Sequence, residues 1–222
     1  MTKIVFISDT HTMHEDLVLP QGDILVHAGD FTGRGKPHEV ENFFSWLEKQ
    51  SKFFKHIIFI AGNHDICFEY KSTWVVDAIK SLPDNIHYLE DSEVIIDDIK
   101  FYGSPWQPEF FNWAFNLPRG KALEEKWDMI PQDVDVLITH GPPMYILDYT
   151  IRDMWNVGCL ALYNKVLQIK PKLHVFGHIH EGYGVKEHEG ITFVNASSAT
   201  IGYSLTNKPI EIKYTKENIE FF

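Results

Sequence analysis

A chain of 222 residues, 44% hydrophobic and 14% aromatic, can bury a substantial core, and residues 1–222 read as a single domain. A net charge of −11 at pH 7 excludes a broad electrostatic grip on nucleic acid. Two cysteines outside any C-x-x-C pair exclude a disulfide framework. No apolar run is long enough for a membrane span and no leader pattern precedes the first strand, so a soluble cytoplasmic protein is expected.

Along the chain, "KIVFIS" (3–8) and "DILVHA" (23–28) are near-continuous apolar runs, the pattern of strands covered on both faces. Val40, Phe43, Phe44 and Leu47 recur at helical spacing between charges, which predicts a helix over 37–50. "HIIFIA" (56–61) is a third buried strand, and 72–81 a helix stopped by Pro83. "EVIIDDIKFYG" (93–103) predicts a hairpin turning at Asp97-Asp98, and 104–120, rich in Trp, Phe, Pro and Asn, a long loop. "VDVLITH" (134–140) is another buried strand and 158–169 a helix. The remainder is mostly strand, at 173–176, 183–187, 191–195 and 209–214. An α/β half followed by a β-rich half predicts two stacked mixed sheets flanked by helices.

Several of these strands end in polar residues. "FISDTH" ends in Asp9 and His11, "LVHAGD" in Asp30, "FIAGNHD" in Asn63, His64 and Asp65, "LITHGPP" in His140, and "VFGHIH" in His178 and His180. Ligands of open α/β sheets bind beyond the carboxyl ends of the strands, so five such ends define one convergent site. Each motif alone also fits a strand-end turn; together and in order they favour a metal site. The donors are oxygen and nitrogen with no thiolate, which disfavours structural zinc and suits a catalytic divalent ion. Manganese is the first choice, with Fe, Zn or Mg as alternatives. Asp9, His11, Asp30, Asn63, His140, His178 and His180 are too many for one ion, whereas two ions sharing Asp30 accommodate them. Two metals roughly 3.5–4 Å apart are the arrangement that hydrolyses phosphate esters.

In this order, D-x-H (9–11), G-D (29–30), G-N-H-D (62–65), H-G-P-P (140–143) and G-H-x-H (177–180) resemble the calcineurin-like metallophosphoesterases. "GDFTGRG", "GSPWQPEFFNWAFNLPRG", "KLHVFGHIHEGYG" and "NAS" are similar to the small metallophosphoesterase-domain-containing branch, over nearly the whole chain. The resemblance implies a four-layer α/β/β/α sandwich. It implies that Asp9, His11, Asp30 and His180 hold one metal and Asp30, Asn63, His140 and His178 the other, with His64 as general acid. Some members of the branch have Gly in place of the first His of G-H-x-H; His178 is present here. Phosphoprotein phosphatases carry Asp at the position of Gly33, which orients the catalytic histidine, and a phosphate-binding Arg at the position of Ala61. Both are missing here, and Arg34 remains as a phosphate contact.

The expected activity is hydrolysis of a small phosphodiester, a 2′,3′- or 3′,5′-cyclic nucleotide, by a metal-bridging hydroxide. Asn63 and the metals stabilise the added charge and His64 protonates the leaving oxygen. The alternatives are a phosphomonoesterase on a nucleotide or sugar phosphate, and a non-hydrolytic binding module on the same scaffold. His27 reads as a core residue or a support for the site, and Asp65 as a turn residue or one that orients a neighbour. The aromatic loop reads mostly as a satellite core, with Trp106 as a wall for a base and Asn116 and Arg119 facing phosphate or sugar. Tyr183 reads as a rim residue. Val157 to Leu162 can pack internally or against a partner, which leaves the oligomeric state open.

Overall fold

A computed structural model describes all residues, Met1–Phe222. Twelve of its strands form two six-stranded sheets. The first runs in the order Ile219–Phe221, Ile210–Tyr214, Thr2–Ile7, Ile24–His27, His56–Phe59, Ile86–Tyr88. Its last four strands are parallel, and its first two extend it antiparallel. The second runs Gly184–His188, Ile191–Asn195, Leu173–Phe176, Val136–Thr139, Ile99–Ser104, Ser92–Ile96, with four parallel strands between antiparallel edges.

Strand alternation sorts the apolar side chains into layers. Ile4 and Phe6 face the second sheet and join Val136, Val175 and Val194 in a core between the sheets. Val5 and Ile7 face outward, under Phe43, Trp46 and Leu47 of helix Pro37–Gln50 and Val75 of helix Thr73–Lys80. On the far side Leu137, Phe176 and Phe193 pack beneath Leu123 and Trp127 of helix Lys121–Asp128 and Leu162 and Val166 of helix Leu160–Ile169. The result is the four-layer α/β/β/α arrangement. Full burial of each such large side chain contributes about 1.5–3 kcal/mol.

The hairpin turns where its sequence predicts. Asp97 and Asp98 have φ of 52° and 60°, the paired positive angles of a type I′ turn, whose twist suits the flanking strands. Several elements are additional to the sequence reading: helix Lys121–Asp128, the one-turn helix Ile66–Glu69, the short edge strands Ile86–Tyr88 and Ile219–Phe221, the two-residue pair Tyr149–Thr150 with Trp155–Asn156, and single 3-10 turns at His14–Asp16 and His180–Gly182. The loop 104–120 also contains a short pairing of Gln107–Pro108 with Asn116–Leu117. No helix is long and apolar enough to cross a membrane.

The parallel strands of both sheets point their carboxyl ends at one rim. An isolated bridge between Ser8 and Ser197 ties the sheets together there.

Candidate metal centre

Asp9, His11, Asp30, Asn63, His64, His140, His178 and His180 all arrive at this rim. Donor atoms of Asp9, His11 and His180 lie within 4.8 Å of one another, as do those of His11, Asp30 and His64, and those of Asp30, His140 and His178. Asp30 thus belongs to the middle and last groups. Its Oδ2 stands 3.4 Å from His140 Nε2 and 4.0 Å from both His11 Nε2 and His64 Nε2. At the other end His180 Nε2 is 3.4 Å from Asp9 Oδ1 and 3.4 Å from His11 Nε2.

The turns that deliver these residues are conformationally special. Asp9, His11, Asp30 and His178 all have positive φ, between 41° and 66°. Non-glycine residues adopt that region at a cost, and such strain is held only where surrounding contacts over-determine it. Those contacts are present. The Asp9 carboxylate accepts the His178 backbone N–H at 3.0 Å and the Ser197 hydroxyl at 2.8 Å. Asp30 accepts the His64 backbone N–H at 2.8 Å. Asn195 donates its amide to the Ile179 carbonyl at 2.8 Å and so braces the G-H-x-H turn. Gly177 is required sterically, since a Cβ there would collide with the Asp9 carboxylate and the Ser8 hydroxyl.

Backbone carbonyls select the imidazole tautomers. His140 Nδ1 donates to the Ala28 carbonyl at 2.9 Å and His180 Nδ1 to the Thr200 carbonyl at 3.0 Å. Each Nε2 is left facing the carboxylates, the arrangement in which an outer carbonyl prepares a histidine for a metal. His27 is buried and accepts the Gly29 N–H on Nδ1 at 3.2 Å, so its Nε2–H meets the Thr10 hydroxyl at 2.9 Å. It therefore links the D-x-H and G-D turns as a support, not a ligand.

The electrostatics call for cations. Burial opposes a charged His140, yet the Asp30 charge, a hydrogen bond to Asp30 and the Asp9 charge push it up to about 9. Burial likewise opposes a charged His180, and the hydrogen bond and charge of Asp9 push it up to about 9. Burial would raise Asp30, but the charges of His140 and His64 hold it well below the usual carboxylate range. Burial takes His178 down to about 3, leaving a neutral imidazole. The two buried carboxylates thus hold protons on His140 and His180, positive charge that divalent metal ions of the oxygen- and nitrogen-preferring kind would replace, and the donor set contains no thiolate. The spacing of His11 from His180 is one that two nitrogens on a single ion also take.

The centre opens into a cleft of about 820 Å³. Phe110, Phe111, Trp155 and Tyr203 line it. Tyr203 is 51% exposed and sets its ring edge-on to His11 at 4.9 Å, while Phe110, 41% exposed, lies 5.7 Å from His178. Tyr203 has no motif in the sequence; only the fold brings Ile201–Tyr203 over the centre.

Of the residues expected to bind substrate, Trp106, Asn116 and Tyr183 face structural partners instead, while Arg119 and Arg34 stay near the site. Trp106 donates Nε1–H to Asp91 at 2.9 Å beneath Lys126, away from the cleft. Asn116 donates to the carbonyls of Phe110 and Phe111, both at 3.1 Å, and so shapes the loop from within. Arg119 reaches the cleft wall, but its guanidinium donates to the Gly158 and Val157 carbonyls at 2.7 and 2.6 Å. Tyr183 packs against the inter-sheet core and donates its hydroxyl to Lys208, so it is no rim residue. Arg34 is exposed, with its guanidinium 5.3 Å from the Trp113 ring. The reason is common to Trp106, Asn116 and Tyr183: a long polar or aromatic side chain in a loop finds its partner by tertiary placement, which local pattern does not encode. Leu162 and Cys159 pack internally, whereas Leu160 is exposed.

A buried set of oxygen and nitrogen donors on the shared rim of two stacked sheets defines a metal-dependent phosphoester hydrolase. The sequence model for calcineurin-like phosphoesterases matches residues 2–182, and the chain belongs to that family. It is 46% identical to metallophosphoesterase domain-containing protein 1 of Homo sapiens, over 95% of this chain and 70% of that protein. It is 39% identical to the UPF0046 protein T07D4.2 of Caenorhabditis elegans, over 94% of this chain and 59% of that one. In fold it is similar to the crystal structure of TT1561 of Thermus thermophilus, with a TM-score of 0.65 at 13% identity, over 100% and 98% of the two chains.

Proposed function

We propose that the protein is a dinuclear metal-dependent phosphodiesterase acting on a small diester, a cyclic nucleotide in first place. The observation that carries this reading is the position of the Asp30 carboxylate within reach of both His11 and His140, with Asp9, His180 and His178 grouped on either side. On this reading Asp9, His11, Asp30 and His180 hold one ion, and Asp30, Asn63, His140 and His178 the other. When bound, the two ions supply Lewis-acid activation of a phosphoryl oxygen and a nucleophile at neutral pH. Manganese, with Fe, Zn or Mg as alternatives, suits these donors.

The chain's own residues do the rest. Asn63 Oδ1 faces His140 Nε2 at 3.0 Å, and the amide nitrogen is then the donor for a phosphoryl oxygen in the transition state. His64 gives its Nδ1–H to the Gly33 carbonyl at 2.8 Å and keeps Nε2 on the Asp30 side, where it hands a proton to the leaving oxygen. The Gly33 carbonyl fills the role for which a side-chain carboxylate is missing at position 33.

Charge supports the diester preference. Near the cleft stand Glu109, Glu124, Asp153 and Glu181; Arg119 is engaged with carbonyls, and Arg152 is the other cation. A dianionic monoester gains less in such surroundings than a monoanionic diester. The aromatic lining suits a nucleobase, since base stacking on an aromatic ring is worth about 1–3 kcal/mol. We take residues 1–222 to act as one domain, because both sheets share one core.

The test is turnover of bis-p-nitrophenyl phosphate, p-nitrophenyl phosphate, 2′,3′-cyclic AMP and 3′,5′-cyclic AMP by chelator-treated protein with Mn²⁺ restored. Metal-dependent turnover of the diesters above the monoester is expected. A strong monoester preference overturns the diester assignment, and inert cyclic nucleotides overturn the nucleotide one.

A further inference from the structure

His64 is held from three sides. The Gly33 carbonyl takes its Nδ1–H at 2.8 Å, and His11 stands edge-on with ring centroids 4.6 Å apart. The third side is Trp113, whose ring lies parallel to the imidazole, 4.1 Å away with 22° between planes. Trp113 is itself rigidly carried. The Ala114 N–H donates to the Asn63 carbonyl at 3.1 Å, tying the aromatic loop to the G-N-H-D turn. Gln107 and Glu109 donate backbone N–H groups to Phe115 and Leu117, both at 3.0 Å, and the Asn116 amide holds Phe110 and Phe111. Arg34 packs over the same indole.

From this geometry we infer that Trp113 is a positioning residue for His64, an inference that rests on the general-acid role proposed above. One hydrogen bond at Nδ1 fixes a point on the ring but not its plane. The χ2 torsion of histidine is broad, and without a packed face the ring swings and carries Nε2 off the leaving oxygen. The parallel indole removes that freedom and needs no charge to do so. The loop 105–117 is therefore an arm that presents Trp113 to His64, and the aromatic run in the sequence has a function beyond its own packing.

The experiment uses the metal-loaded full chain and two diesters that differ only in leaving group, methyl p-nitrophenyl phosphate and methyl phenyl phosphate. The poorer phenolate leaving group needs the proton more. Trp113→Leu is expected to lower kcat on the phenyl ester by roughly 10–100-fold, the cost of a displaced catalytic group. It leaves KM and metal content unchanged, has a much smaller effect on the p-nitrophenyl ester, and Trp113→Phe restores most of the loss. In the His64→Ala background, Trp113→Leu has little further effect, because both act through one proton transfer. NMR of isotopically labelled histidine, on protein loaded with diamagnetic Zn²⁺, supplies a readout apart from activity. The His64 Cε1–H resonance, shifted upfield by the indole, moves downfield in Trp113→Leu and not in Trp113→Phe.

Equal losses on both esters, or a Trp113→Leu loss that adds in full to that of His64→Ala, would reduce Trp113 to a structural residue and overturn the inference. An inert Trp113→Leu beside a damaging His64→Ala overturns this inference alone. An inert His64→Ala on the phenyl ester removes the general-acid assignment and this inference with it.

Discussion

The Asp65 carboxylate accepts the backbone N–H of Asp30 at 2.9 Å and so fixes, through the main chain, the residue proposed to bridge two metals. The same carboxylate accepts N–H groups of Gly62 at 2.8 Å and Thr32 at 2.9 Å, and the Thr32 hydroxyl at 2.7 Å. All four partners are donors and the side chain is fully buried. Asp65→Asn must aim an amide NH₂ at N–H donors. We expect a loss of about 2–4 kcal/mol in stability from the broken buried network, and roughly 10–100-fold weaker metal binding from the misplaced Asp30. Urea unfolding and calorimetric titration with Mn²⁺ check the two parts separately.

Asp30→Asn is expected to abolish metal binding and turnover together, since it removes the carboxylate that faces both His11 and His140. Elemental analysis of metal per chain, beside bis-p-nitrophenyl phosphate hydrolysis, reads the outcome. Retention of both ions by the variant would mean that Asp30 is no bridge.

Gly177→Ala should disable the centre without touching a proposed ligand. The added methyl group meets the Asp9 carboxylate and the Ser8 hydroxyl, so either the turn or Asp9 must move. A destabilisation of about 1–3 kcal/mol, the usual cost of overpacking, is expected together with loss of metal occupancy. Thermal unfolding with and without Mn²⁺ tests this: the metal-induced gain in Tm should vanish.

Acid should unfold the protein through histidines remote from the cleft. His14 is buried between Phe43 and Trp46, and burial takes it down to about 4; His174 is buried beside Phe176 and Phe193 and taken down to about 3. Each is neutral in the fold and protonated in the unfolded chain below its ordinary value of 6.5. The unfolded state therefore binds more protons, and stability falls as pH drops from 6.5 toward 4 and 3 respectively. Each histidine contributes about 1.4 kcal/mol per pH unit inside its window. Urea midpoints from pH 7 to pH 5 should fall less steeply in His14→Leu than in the parent; an unchanged slope would exclude His14 as a source of acid lability.

Local pattern read well wherever one periodicity dominated. The apolar runs at 3–8, 23–28, 56–61, 134–140 and 173–176 correspond to strands Thr2–Ile7, Ile24–His27, His56–Phe59, Val136–Thr139 and Leu173–Phe176. The Asp97-Asp98 turn was equally legible, because its chemistry is local. Helix Lys121–Asp128 has only a weak local signal, Leu123 and Trp127 standing four apart among charged neighbours. The strands Ile86–Tyr88 and Ile219–Phe221 are three residues each, too short for any period, and exist because an edge offered them hydrogen bonds.

By itself the sequence determined the layered α/β class and the list of carboxylates, amide and imidazoles at strand ends, since strand period and strand-end chemistry are properties of neighbours in the chain. The tertiary structure decided what those residues face. It set the Gly33 carbonyl behind His64 and Trp113 against its ring, brought Tyr203 over His11, and turned Trp106, Asn116 and Tyr183 away to structural partners. The physical reason is that a side chain in a loop takes its partner from whatever the packed sheets bring within a few ångströms, and that proximity is written in no single stretch of residues.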